Sequence, residues 1–323
     1  MTALEFGRLS YGAANVGNLY RALTDEDAMA VLEAAWDVGI RYFDTAPHYG
    51  LGLSERRLGA FLRTKSREDF IISTKVGRLL RANPDGEGLL DDTNDFAVPA
   101  TFKRVWDFSA DGIRRSLDES LTRLGLDSVD ILYLHDPEKS DVGLTAALSK
   151  GIPALAGLRN EGLVSAIGIG SMSVAALDAA VRSDRLDPLD LVMVAGRFTL
   201  IDQSALDSVI PACRDRRVGV VNAAVFNSGL LAKPTPDPTA RYDYADVSPE
   251  LFARTQQIAG ICSEFGVDLP TAALQYTLRE PVVRTVVVGG KDPGQIRQNA
   301  ERMSTDIPEE LWASLVDQGL IPG

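Results

Sequence analysis

Only two cysteines occur in the 323 residues. Cys213 and Cys262 fall in helix-like segments without metal-ligand spacing, which argues against a disulfide framework and fits a reducing compartment. Histidine is equally scarce, with His48 and His135 the whole supply, so no histidine cluster has zinc spacing. No G-x-G-x-x-G follows the first apolar run, which disfavours an open doubly wound sheet. No apolar run reaches membrane-spanning length, and the N-terminus shows no basic-then-apolar secretory pattern. The expectation is a soluble, cytoplasmic protein. Positive charge is in deficit: the formal net charge is −12. That balance argues against a nucleic acid or an anionic membrane as partner, while leaving room for a local basic pocket. Nothing in the sequence marks an oligomeric state.

What is present is a large apolar inventory, 45% of the residues, with 24% charged, enough for a sizeable core. Strand-like and helix-like segments alternate through the whole length, without linker, repeat or low-complexity tract. Thr24, followed by Asp25, Glu26 and Asp27, is a helix start, and Ser109 and Gly125 bracket another helix. Residues 144–161 read as a helix interrupted at Gly151-Ile152-Pro153, and 203–216 as one helix. Two long stretches lack a period, Val76 to Asp107 and Phe226 to Ser248. The first leaves a strand's C-terminal end and carries Arg78, Arg81, Phe102, Lys103 and Trp106, so it reads as a substrate loop over the active face. Eight β/α units fit the count, and continuously apolar strands fit a parallel sheet buried on both faces. The expected fold is therefore a single (β/α)8 barrel over residues 1–323, with additional helices and long βα loops.

The chemistry concentrates in Gly39 to Lys75. Tyr42-Phe43-Asp44 is a short strand ending in an acid, with His48 and Tyr49 in the loop that follows. Phe70 to Thr74 is a second strand, ending in Lys75. Taken alone, these residues suit a buried ion pair beside a surface tyrosine equally well. In a barrel, however, Asp44, Tyr49, Lys75 and both histidines would meet at one rim, since His135 ends the fourth strand. No nucleophile elbow precedes an Asp and a His, so acyl transfer fits poorly. What remains is proton transfer by Tyr49. Lys75 would favour the phenolate and lower its pKa, with Asp44 holding the lysine. Such an assembly suits hydride transfer at a carbonyl or alcohol carbon, with the hydride exchanged by a cofactor.

The run Asp44 to Gly59, with Lys75 and His135-Asp136-Pro137, resembles the aldo-keto reductase superfamily of nicotinamide-dependent barrels. The resemblance implies Tyr49 as general acid/base, Lys75 and Asp44 as its tuning pair, and His135 as the partner of the substrate oxygen. It also implies a cofactor site, with Ser171 at the nicotinamide amide and Phe226, Asn227, Ser228, Gly229 and Leu230 over the pyrophosphate. Gly290, Lys291, Gln295, Gln298 and Asn299 would hold the adenosine end. His48, Trp106 and Arg197 are candidate substrate contacts. Two positions depart from the common pattern: Ala195 stands where a glutamine is frequent, and Ala223 where an aromatic residue stacks on the nicotinamide.

The runs Val194 to Gln203 and Val225 to Leu231, with Tyr242-Asp243-Tyr244, resemble one branch of the superfamily. It contains the D-threo-aldose 1-dehydrogenases (L-fucose and L-galactose dehydrogenases) and pyridoxal 4-dehydrogenase. Reducing sugars and pyridoxal both exist as cyclic hemiacetals, so the implied reaction is oxidation of a hemiacetal to a lactone. The substrate would be a small molecule, an aldose first and pyridoxal second. A general aldehyde or ketone reductase, and a cofactor-sensing interaction protein, are the alternatives. NAD is the expected cofactor over NADP, because Lys291 is followed by Asp292, and Gln295 replaces a cation.

Overall fold

The computed structural model describes residues 4–243 and 245–323. Tyr244 therefore lies outside the described residues. The apolar runs form eight parallel strands: β1 (Leu9–Gly12), β2 (Tyr42–Asp44), β3 (Ile71–Val76), β4 (Ile131–His135), β5 (Ala166–Ser171), β6 (Leu191–Ala195), β7 (Gly219–Ala223) and β8 (Val283–Val288). Each pairs with its sequence neighbours and β1 pairs with β8, which closes the barrel.

Strand parity decides what faces the interior, because alternate side chains point to opposite sides of a sheet. Tyr42, Ile131, Tyr133, Leu191 and Met193 pack together inside the barrel. Their neighbours Phe43, Leu132, Leu134, Val192 and Val194 join the outer core against the helices. Asp44 shares the parity of Tyr42, and His135 that of Tyr133. Along β3, Ser73 bonds the inward Tyr42 and Asp44, whereas Thr74 bonds Glu55 on a helix outside. Lys75 is thus inward again. Three chemistry-bearing residues reach the same interior at the C-terminal end of the barrel for this one reason.

The outer layer comprises α1 (Asp25–Asp37), α2 (Leu53–Leu62), α3 (Ala110–Leu124), α4 (Leu144–Asn160), α5 (Val174–Arg182), α6 (Val209–Arg216), α7 (Pro249–Glu264), α8 (Leu269–Tyr276), α9 (Pro293–Ser304) and α10 (Glu309–Asp317). Thr24 and Ser109 cap α1 and α3 through Asp27 N and Gly112 N, and Gly125 ends α3 in the left-handed region. No described helix is long and apolar enough to cross a membrane.

Three local expectations need correction. Helix α4 runs unbroken through Pro153. Gly151 is there for contact, since a Cβ would come 2.7 Å from Leu134 Cδ1. Burial of Leu148, Ile152 and Leu155 offsets the one hydrogen bond a proline removes. The segment 203–216 is not one helix: a 3-10 turn at Ser204–Asp207 precedes α6. Asp202 Oδ1 accepts from Ser204 N and Oγ there and favours the tighter turn. The stretch 76–107 is ordered as well. Arg78–Ala82 pairs antiparallel with Phe102–Trp106, and Leu90–Asp91 with Phe96–Pro99.

Gly59 on α2 meets the end of α3, and a Cβ would lie 2.0 Å from the Leu124 carbonyl oxygen. Gly59→Ala should therefore cost about 1–3 kcal/mol through overpacking. Urea unfolding checks this, and an unchanged midpoint would show that the helices part freely.

Candidate active site

The site starts from an ion pair taken out of water. Lys75 and Asp44 are each only 2% exposed, and Lys75 Nζ donates to Asp44 Oδ2 at 2.6 Å. It also donates to the Thr45 carbonyl at 3.0 Å and to the Tyr49 hydroxyl at 3.1 Å. Asp44 Oδ1 accepts from Ser73 Oγ, so both carboxylate oxygens are matched. Burial works against the Lys75 ammonium, but Asp44 and Tyr49 outweigh it and hold its pKa above the ordinary value. Lys75 is a fixed cation with its third donor aimed at the tyrosine.

Tyr49 sits in a tight turn, with its amide donating to the Ala46 carbonyl. Gly50 follows at φ +60°, and a Cβ there would strike the Gly17 carbonyl at 2.1 Å. A glycine after the tyrosine is thus a requirement of the turn. Burial is the largest influence on Tyr49 and raises its pKa; Lys75 pulls down and only offsets part of this. The expectation of a net lowered pKa is corrected accordingly. A dry pocket disfavours the phenolate more than one ammonium favours it.

The ring of His135 stands nearly perpendicular to Tyr49, with centroids 6.0 Å apart, and His48 lies 5.5 Å from His135. Burial, reinforced by Arg78, pushes both imidazoles well below their ordinary pKa, so both are neutral. Behind His135, Asp136 adopts a left-handed conformation, φ +41°, and pairs with Arg78 at 2.6 Å and Lys139 at 3.2 Å. Arg78 also stacks on Trp106, 4.5 Å from the ring centroid. Arg104 pairs with Asp91 and donates to the His48 carbonyl at 2.8 Å. The ordered excursion therefore braces the catalytic rim, with Phe96 against His48 and Tyr49.

A cleft with a volume of about 610 Å³ covers the ends of the remaining strands. Its lining includes Asn15 after β1, Met172 after β5, Gly196 after β6, Ala224 after β7 and Gly289 after β8. The ion-pair cluster occupies β2 to β4, so the two regions divide one rim between them. Nine of the expected cofactor residues line this cleft: Phe226, Asn227, Ser228, Gly229, Gly290, Lys291, Gln295, Gln298 and Asn299. Two do not. Leu230 is fully buried in the core, and Ser171 donates its hydroxyl to Glu138 at 2.7 Å. Ala195 and Ala223 are register partners on β6 and β7, so the two departures share one place.

The cleft suits a dinucleotide. Its size falls within the range of cofactor sites, roughly 300–1,000 Å³. Asn227 Oδ1 is buried without a partner among the described residues. At the end of β8, a Cβ on Gly290 would lie 2.5 Å from Ile296, so glycine is what lets the strand end pack against α9.

Arg197 does not fit the role of a substrate contact. Its guanidinium is taken up by Asp202 at 3.0 Å, Asp243 at 2.6 Å and the Met172 carbonyl at 2.9 Å. It clamps the loop before Tyr244 to the barrel rim. Among residues unassigned from sequence, Arg302 lines the cleft with Gln295, Gln298 and Asn299. Positions 295, 298, 299 and 302 form one helical face, a periodicity that could have flagged it. Arg104 and Lys233 carried no such signal, because long loops bring them in.

Comparison with known proteins agrees with this geometry. The chain is 57% identical over 320 residues to the D-threo-aldose 1-dehydrogenase of a Pseudomonas species, covering 99% of this chain and 96% of that protein. It is 39% identical to the pyridoxal 4-dehydrogenase of Microbacterium luteolum, covering 99% and 96%. Among solved structures, a glycerol dehydrogenase from Gluconobacter oxydans superposes with a TM-score of 0.77 over 98% of this chain and 94% of that one. At 19% identity it supports the fold alone. The family model described as Aldo/keto reductase family matches residues 8–318. A closed parallel barrel, a buried Asp-Lys-Tyr cluster at its C-terminal rim and a match over almost the whole chain converge: the protein belongs to the aldo/keto reductase family, a group of NAD(P)-dependent oxidoreductases.

Proposed function

We propose that this enzyme oxidises the cyclic hemiacetal of an aldose at carbon 1, forming a lactone. The observation that carries the reading is Lys75 Nζ placed between Asp44 Oδ2 and the Tyr49 hydroxyl; the 57% relative supplies the substrate class. Tyr49, as phenolate, takes the proton of the hemiacetal hydroxyl. Lys75 stabilises the phenolate, and Asp44 keeps the lysine charged and in place. His135, a neutral imidazole, donates to the reacting oxygen and orients it. A nicotinamide dinucleotide held along the cleft would supply the hydride acceptor for carbon 1. Phe226 to Gly229 would cover its phosphates, and Gln295, Gln298 and Asn299 its adenosine. A panel of L-fucose, L-galactose, D-arabinose and pyridoxal, with product identification, tests the reading. Lactone from pyridoxal but from no sugar would favour the activity named for the 39% relative. Turnover of open-chain aldehydes alone would overturn both.

The cations near the cleft favour NAD. Lys233 is paired with Asp237 and Arg302 with Asp268, so neither charge is available without breaking a pair. Lys291 has no ion-pair partner among the described residues, but Asp292 follows it. Gln295 uses its side-chain oxygen to accept from Lys291 N at 3.1 Å. A 2′-phosphate would meet the Lys291 ammonium and the Arg21 guanidinium, the latter already donating to the Lys291 carbonyl at 3.0 Å, whereas an arginine at position 295 would add two parallel bonds. Wild type should show a higher kcat/KM with NAD, and Gln295→Arg should raise that with NADP about tenfold, near 1.4 kcal/mol. A wild-type preference for NADP that disappears in Lys291→Ala would show that the single lysine suffices.

A further inference from the structure

His48 and His135 each bury Nδ1 with no hydrogen-bond partner among the described residues. Native folds rarely leave a buried polar atom unmatched without a use for the group. Each ring is neutral, and a neutral imidazole carries one N–H and one lone pair. With no acceptor at Nδ1, the proton belongs on Nε2 in both. His135 Nε2 stands 3.7 Å from Asp136 Oδ2, too far for a hydrogen bond. His48 remains part-exposed although its Nδ1 is sealed, so its open edge presents Nε2–H. The two rings therefore offer two donors at one rim, and the reaction requires only one.

The second donor is also held firmly. Phe96 packs edge-on to His48 at 5.5 Å, and His48, His135 and Tyr49 form a triangle of rings with sides of 5.5, 6.0 and 6.1 Å. Arg104 fixes the His48 backbone through its carbonyl and is itself anchored on Asp91. A side chain kept merely for packing would need no nitrogen here, and a phenyl ring would fill the space. A fixed donor 5.5 Å from the His135 ring and 6.1 Å from the Tyr49 ring matches a sugar, whose carbon next to the reacting one carries a second oxygen.

We propose that His48 is a specificity-determining residue, donating to the hydroxyl on the carbon next to the one oxidised and selecting hemiacetals that bear it. The proposal rests on the aldose reading above. Its test compares kcat/KM for L-galactose and 2-deoxy-L-galactose in wild type, His48→Phe and His48→Gln. Comparing that ratio between wild type and each variant cancels any intrinsic change in reactivity caused by removing the hydroxyl. Wild type should prefer L-galactose by about tenfold to a hundredfold, since a site built to bond a hydroxyl discriminates against its absence. In His48→Phe that preference should fall to about threefold or less, and His48→Gln, which keeps a donor, should recover part of it. Cofactor affinity, read by quenching of protein fluorescence, serves as the check that each variant is folded. A preference retained in a folded His48→Phe overturns the proposal, as does one lost equally in His48→Gln. If wild type oxidises neither of these sugars nor L-fucose nor D-arabinose, the aldose reading itself falls. Oxidation of both sugars without discrimination removes only the role of His48.

Discussion

Tyr49→Phe should yield a folded, cofactor-binding protein whose turnover of hemiacetals is about 100- to 10,000-fold below wild type, the worth of a positioned acid/base. The substitution keeps the ring, and with it the contacts to Phe96 and His135. Lys75 loses one acceptor but retains Asp44 and the Thr45 carbonyl. The loss should therefore fall on kcat, with cofactor affinity preserved. Steady-state kinetics with a saturating sugar, beside a fluorescence titration of the cofactor, separate the two. A kcat within about threefold of wild type would remove Tyr49 from the reaction, since positioned proton transfer is worth far more.

Lys75→Met has consequences in both activity and stability. The variant leaves Asp44 buried, with Ser73 as a donor but no counter-charge. Breaking a buried pair from one side costs about 3–5 kcal/mol, so a large fall in the unfolding midpoint is expected. The alkaline side should differ too. The folded pKa of Lys75 is raised, so its stabilisation is complete below the ordinary lysine value and is lost as pH rises through the raised one. Wild type should lose that increment at high pH, and the variant has none to lose.

The same change moves catalysis. On the proposed mechanism oxidation uses the Tyr49 phenolate, so the rate should rise with pH, and burial places that rise above the ordinary tyrosine value. Without Lys75, the cation that opposes that burial, the rise should shift further upward and the neutral-pH rate should drop. Tyr49 and Lys75 titrate as a coupled unit, so the profile reports the pair. The measurement is kcat against pH in both proteins, with a sugar deuterated at carbon 1 confirming that chemistry limits the rate. Superimposable profiles would separate Lys75 from the ionisation of Tyr49.

Much of this architecture can be read along the chain, because it depends on local periods. Apolar runs three to six residues long, carrying Asp44, Lys75 and His135 at or next to their ends, are strands of a sheet buried on both faces. Parity then sends those three ends to one interior. Thr24, Ser109 and Gly125 mark helix ends through backbone hydrogen bonding within a few residues, and the helical face 295/298/299/302 is visible in the same way. Where two influences compete locally, packing decides. Gly151 and Pro153 look like a break, yet packing of α4 against Leu134 decides for a continuous helix.

Sequence alone determined the barrel and the family resemblance, and it singled out Asp44, Tyr49, Lys75 and His135 for the proposed acid/base cluster, since each rests on residue type at short spacing. Tertiary structure decided the electrostatics and the long-range braces. Whether Tyr49 lies above or below its ordinary pKa depends on burial set against one ammonium, a balance that exists only once the pocket has closed. That Arg197 is bound to Asp202 and Asp243, and Arg104 to Asp91 and the His48 carbonyl, is likewise invisible along the chain. These contacts bridge segments up to 56 residues apart. Their partners are chosen by where loops land on the barrel rim, and no periodicity in the sequence encodes that.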